Sequence, residues 1–322
     1  MEIECMKYYG LIKELDKADY FETEYYQSML GNIKHHIKAG GIIAITGIIG
    51  IGKTVALRRI QHAIRLEDKV FVSKSLAEKR CVTINTLYTE LFTDLVTKKD
   101  TKVPSQAGKR ERKLQALIKE LNKPIALFID EAHDLHHRTL ISLKHLIETV
   151  QDVNGILSII IVGHPKLAND LRNPALEEIG ARAKVFELAS AEVNNLKFIE
   201  WLFSSCTNDK VKPLDILTEE AINLLTERLI TPLQMTYYIT RILEKGYQMG
   251  EKPVSIEMAR SVLSVNLNDL EPNLARQGYD FSVLCNRLSA GRKEIRLYLN
   301  GKLTQSRSEE ISKDIYKLGI VI

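Results

Sequence analysis

The octapeptide GIIGIGKT, Gly47 to Thr54, constrains this chain more than any other feature because of where it sits. It follows a short apolar run, Ile42 to Thr46, and precedes a helical pattern from Val55 to about Arg65. A strand that ends in glycines and restarts as a helix is the context in which G-x-x-x-x-G-K-[ST] binds phosphate. Each position has a physical task. Gly47, Gly50 and Gly52 let the backbone turn its N–H groups toward an anion, and the helix N-terminus, including the amide of Val55, adds positive potential. The Lys53 ammonium reaches the β- and γ-phosphates, and the Thr54 hydroxyl is a ligand for Mg²⁺. The expected ligands are therefore ATP and Mg²⁺.

A second apolar strand pattern, ALFIDEAHDL, delivers Asp130 and Glu131 to a strand end. Asp130 fits the carboxylate on the Mg²⁺ side, and Glu131 fits the base that polarises attacking water. His133 follows and reads as a local hydrogen-bonding residue. The next apolar run, ILSIIIVG, ends in His164 before Pro165. His164 is either a polar group facing the γ-phosphate or part of a strand-to-helix turn with Pro at the helix start. Further on, GARAKVFEL places Arg182 at a helix end ahead of a strand-like stretch. Arginines so placed can complete a neighbouring subunit's phosphate site.

Short buried strands rich in Ile, Leu and Val, alternating with helices, predict an α/β unit with a parallel sheet flanked by helices. Residues 22 to 38 predict a helix ahead of it. After Leu188 the strand signals stop, and helices are expected over 191–204, 216–229, 232–249 and 255–265. The domain expectation is 1–190 for the ATPase unit with its N-terminal helix, 191–270 for an all-α lid, and 271–322 for a small helical C-terminal domain. In that last segment, residues 276 to 322 hold nine Lys/Arg against five Asp/Glu. An apolar helix, a turn at Ser289 to Gly291 and a helix bearing Arg292, Lys293 and Arg296 suit either a helix-turn-helix or a docking module for a protein partner.

Composition narrows the classes of function. With 45 Lys+Arg against 41 Asp+Glu the net charge is only +4, so any nucleic-acid surface must be local. One such cluster is KKDTKVPSQAGKRERKLQALIK, residues 98 to 119, with eight basic and two acidic residues. Another is the loop carrying Lys79, Arg80 and Thr83. Lys79, Arg80, Thr83, Lys102, Lys109 and Arg110 are thus the expected DNA contacts, tracking phosphates rather than reading bases. Four scattered cysteines without a C-x-x-C pair argue against a disulfide framework or a zinc site. No apolar run reaches the roughly 18 residues of a membrane span, and the acidic N-terminus lacks a signal-peptide pattern, so a cytoplasmic location is expected.

On ITGIIGIGKT, LFIDEAHDL, IVGHPKL and GARA, the chain resembles the AAA+ ATPases. It resembles more closely the ExeA-like ATPases that include the transposition regulators TnsC, TniB and MuB, over about residues 20 to 265. The resemblance implies a nucleotide-driven homo-oligomer, a ring or filament on duplex DNA, that recruits or activates a transposase and works with a target-selection protein. It implies Lys53, Thr54, Asp130 and Glu131 as Walker residues, His164 as sensor 1 and Arg182 as arginine finger. It also marks a departure. Where relatives carry Gly-x-Pro-Arg with a sensor 2 arginine, this chain reads TPLQ, Thr231 to Gln234, so slow hydrolysis is expected. The alternative reading is an assembly or signalling ATPase without a DNA role.

Overall fold

The computed structural model describes residues 1–74, 82–96, 103–104, 106–189, 193–208, 211–263 and 267–320. Five parallel strands form one sheet in the order β2-β3-β4-β1-β5. They are β1 (Gly41–Gly47), β2 (Phe71–Lys74), β3 (Ile125–Ile129), β4 (Leu157–Gly163) and β5 (Ala183–Leu188). Every residue of β3 and β4 is buried, as is β1 from Ile42 onward, which is why their sequences are continuous apolar runs rather than alternations. β5, at the edge, has no buried residue and leaves Lys184, Val185 and Glu187 exposed.

Side chains alternate across the sheet and build two cores. Ile42, Ala44, Leu127, Ile129, Ile159 and Ile161 pack under the helices Ile84–Leu95, Ala107–Leu121 and His137–Gln151. Ile43, Ile45, Ala126, Phe128, Ile160 and Val162 pack under Glu24–Ala39 and Lys53–Glu67. The expected fold class therefore stands: a parallel sheet flanked by helices and followed by helical units.

A third core is helical. Phe198, Leu202, Leu225, Ile239 and Leu243 pack together from helices Asn195–Cys206, Glu219–Arg228 and Pro232–Met249. Residues 1–15, grouped by the sequence reading with the α/β unit, contribute Cys5, Tyr9, Leu11 and Leu15 to this same core. Tyr9 and Tyr8 donate hydroxyl bonds to the carbonyls of Glu251 and Gly250, both at 2.9 Å. A fourth cluster, Leu274, Tyr279, Leu284, Ile295, Ile311 and Ile315, holds the C-terminal helices Leu270–Arg276, Phe281–Arg287, Arg292–Leu299 and Gln305–Lys317 together. The helix, turn and helix expected around Gly291 are present, but the guanidinium groups of Arg292 and Arg296 lie over the Phe281 ring, 5.3 and 4.9 Å from its centroid. Among the described residues, no helix is long and apolar enough to cross a membrane.

Candidate nucleotide-binding site

Parallel pairing brings the C-terminal ends of β1, β3 and β4 to one edge, where Thr46 faces Gly163 and Ile129 faces Ile161. Clefts of open α/β sheets form at that edge. The loop after β1 turns through Gly50 at φ +84° and Gly52 at φ +104°, a region that glycine enters without a Cβ penalty. The helix then starts at Lys53, so its first N–H groups are free for an anion.

The Lys53 side chain folds back over this loop, donating to the Ile48 carbonyl at 3.1 Å, and the residue is only 8% exposed. Burial holds its pKa below the usual lysine value of 10.5, against the opposing pull of Glu131 and Asp130. No ion pair neutralises it among the described residues. A buried ammonium without a counter-ion costs several kcal/mol even after relaxation, and an anion in the loop offsets that cost.

Thr54 Oγ1 donates to Asp130 Oδ2 at 3.2 Å, and the other Asp130 oxygen accepts the Glu131 N–H at 2.9 Å. The hydroxyl and carboxylate expected to share a hard cation are therefore adjacent, and an all-oxygen pair of this kind suits Mg²⁺. Glu131 sits in the left-handed region at φ +53°, a conformation uncommon for residues other than glycine. Its Oε2 lies 3.4 Å from His133 Nδ1 and 4.0 Å from His164 Nε2. The two imidazoles stack, centroids 3.7 Å apart and planes 26° from parallel. Burial depresses the His133 pKa below 6.5, which keeps that ring neutral at pH 7.

Glu131, His133 and His164 place a ligand atom each within 4.8 Å of one another. Lone pairs of nearly parallel rings run side by side, however, and converge well beyond metal-bonding distance. The trio is therefore a packed cluster around Glu131 rather than a preformed transition-metal site.

A cleft of about 510 Å³ joins these groups. Lys53, Thr54, Val55, Glu131 and His164 line its polar end, and Phe21, Phe198, Trp201, Leu202 and Leu233 line the rest. That apolar wall, drawn from the N-terminal loop and the lid, was not visible in the sequence because its members lie far apart along the chain. The lid touches the loop directly: Leu233 N–H donates to the Gly50 carbonyl at 3.2 Å. The TPLQ segment is a helix start, with Thr231 accepting from Gln234 N–H and Gln234 accepting from the Ile230 and Thr231 amides. Gln234 is thus engaged as the cap of that helix.

Arg182 is not part of this cleft. It precedes β5, whose Ala183 pairs with Ile42, while the loop follows the far end of β1 at Gly47. Its side chain is 64% exposed and 4.0 Å from Glu148. Of the expected DNA contacts, Lys79, Arg80 and Lys102 lie outside the described residues. Thr83 caps the helix Ile84–Leu95 by accepting from Thr86 N–H at 3.3 Å. Lys109 is exposed on Ala107–Leu121, whereas Arg110 donates to Asn85 Oδ1 at 2.7 Å and lies over the Tyr88 ring. Thr83 and Arg110 therefore already have structural work within the chain.

Residues 35–171 match a family described as AAA domain. No curated protein sequence matches the chain. The chain is similar in structure to the ORC2 protein of Aeropyrum pernix, solved in ADPNP and ADP complexes, at 14% identity and a TM-score of 0.60 over 97% of this chain and 92% of that one. It is also similar to Cdc6p from Pyrobaculum aerophilum, at 15% identity and a TM-score of 0.51 over 94% and 88% of the two chains. Sheet order, phosphate-loop geometry and the structural likeness together give this chain the AAA+ fold, within which residues 35–171 match the AAA domain family.

Proposed function

We propose that this chain is an ATPase that binds ATP with Mg²⁺ in the 510 Å³ cleft and hydrolyses it slowly, in an assembly of its own copies on duplex DNA. One observation carries the reading: Lys53, Thr54, Glu131 and His164, from three strand ends, line a single cleft, Asp130 is bonded to Thr54, and the buried ammonium has no counter-ion among the described residues. The apolar wall takes the base, the glycine loop and Lys53 take the β- and γ-phosphates, and His164 faces the terminal phosphate. Thr54 and Asp130 would hold Mg²⁺, which supplies positive charge to the phosphoryl oxygens. Glu131 accepts the proton of the attacking water, with His133 and His164 packed beside its carboxylate.

Hydrolysis is slow because Gln234 caps a helix where a lid arginine would reach the γ-phosphate, and because Arg182, at the opposite strand end, acts only on a neighbouring subunit. The motif resemblance supports a finer reading, regulation of DNA transposition in the cytoplasm with a transposase and a target-selection protein as partners. The local positive charge of residues 98–119 supports phosphate-tracking DNA contact. A direct nucleotide titration tests the core of the reading. Lys53→Ala should lose MgATP binding, whereas Glu131→Gln should bind normally and stop turnover. Unchanged affinity in Lys53→Ala would refute the site.

A further inference from the structure

The C-terminal unit is seated on the nucleotide cleft by a turn that carries the chain from Leu270–Arg276 to Phe281–Arg287. The Arg276 carbonyl accepts the N–H of Ile49, inside the phosphate loop, at 2.9 Å. The next carbonyl, of Gln277, accepts from Lys166 N–H at 3.3 Å, two residues beyond His164. Gly278 closes the turn at φ +92°, and a Cβ there would stand 3.0 Å from both Cβ and Nδ1 of His164. Backbone geometry and space both call for glycine at this point.

Behind the turn lies a second set of contacts. The Asn169 side-chain amide donates to the Tyr279 hydroxyl at 2.9 Å and to the Gly319 carbonyl at 3.1 Å. Arg287 donates to Asp170 Oδ1 at 2.7 Å, and Lys166 Nζ reaches the other oxygen of that carboxylate at 3.0 Å. Asp170 is only 8% exposed, so the Arg287 bond is shielded from water and stronger than a surface pair. The unit thus grips both the loop that would hold the phosphates and the helix that follows His164.

We propose that the turn Arg276–Gly278 positions the phosphate loop and His164 for the reaction, so that nucleotide and the docked C-terminal unit each favour the other's seating. The inference rests on the ATP reading of the cleft. With the turn in place, the Ile49 amide is tied to Arg276 and the loop is held in one conformation before ligand arrives. With it displaced, that amide is released and His164 gains room to rotate away from Glu131. Linkage then makes the effect reciprocal: whatever factor docking adds to nucleotide affinity, nucleotide adds to docking. A partner held by the C-terminal unit would sense the nucleotide state through this turn.

The test compares wild type with the double variant Asn169→Ala/Arg287→Ala, whose altered side chains lie behind the turn. A non-hydrolysable ATP analogue with Mg²⁺ is titrated by calorimetry. Amide exchange of residues 281–317 is followed with and without it. We expect the double variant to bind at least about fivefold more weakly, the lower end of ordinary coupling, and its C-terminal helices to exchange faster. In wild type, nucleotide should slow that exchange by the same factor. Gly278→Ala strains the turn and presses on His164, so it should lower kcat and weaken analogue binding in the same direction as the double variant, and unchanged values of both would count against the inference. Should the double variant fail to fold, Tyr279→Phe removes only the hydroxyl contact to Asn169 and should weaken binding in the same direction. Unchanged affinity in a variant whose helices exchange faster overturns the inference alone, as does a double variant whose helices exchange as in wild type. Absence of analogue binding by wild type overturns the ATP reading, and this inference with it.

Discussion

Two glycines of the phosphate loop, two residues apart, should respond differently to the same substitution. Gly50 and Gly52 both hold positive φ, +84° and +104°, so alanine at either costs about 1–3 kcal/mol of backbone strain. They differ in what a Cβ would meet. At Gly52 nothing lies within 4 Å, whereas at Gly50 the Leu233 Cβ and Thr231 Oγ1 both stand 2.8 Å away. Overpacking of that kind adds about 1–3 kcal/mol when the neighbours are the start of a helix rather than a flexible tip. Gly50→Ala should therefore lose about 2–6 kcal/mol in urea unfolding without nucleotide, and Gly52→Ala about 1–3 kcal/mol. If the lid relieves the clash by lifting, the Leu233 amide, which donates to the Gly50 carbonyl, should lose exchange protection in Gly50→Ala alone. Equal losses at the two positions, with Leu233 equally protected, would show that the lid does not rest on the loop in solution.

Three further outcomes follow from the site. Arg182→Ala mixed with Lys53→Ala should recover part of the turnover that each lacks alone, because the two defects would fall on opposite sides of one interface; no recovery at any ratio excludes a trans arginine. Burial lowers the His133 pKa in the folded chain, so acid favours the unfolded state through this group. Its stabilising contribution is complete above about pH 6.5 and declines as pH falls toward the folded pKa. Stability measured from pH 7.5 to 5.5 should fall less steeply in His133→Gln than in wild type, and parallel curves would contradict this. Lys109→Ala should weaken duplex binding uniformly across sequences and reduce the slope of log affinity against log salt by about 0.9, and an unchanged slope removes Lys109 from the interface.

Local sequence carried the nucleotide half of the site. A strand-glycine-helix junction and an apolar strand closing on Asp130 and Glu131 are patterns of neighbouring residues, so they were legible before folding, down to the Thr54 and Asp130 pair. His133 showed less in the sequence than in the fold. Its spacing suggested only a local hydrogen bond, and its stack on His164 depends on β3 and β4 lying side by side. Charge along the chain likewise does not reveal that Arg110 is engaged by Asn85 and Tyr88, or that Thr83 is a helix cap.

By itself the sequence determined the core strands, the helix after the phosphate loop, the sheet's parallel character and the loop itself, because each follows from hydrophobic period or from contiguous residues that share one turn. Only the tertiary structure decided what surrounds that loop. Tyr9 and Leu15 joined to the lid, the apolar wall from Phe21 to Leu233, and Arg276 bonded to Ile49 all pair residues separated by long stretches of chain. Such contacts are fixed by how whole faces pack to exclude water, a nonlocal and nondirectional force that leaves no local pattern in the amino-acid order.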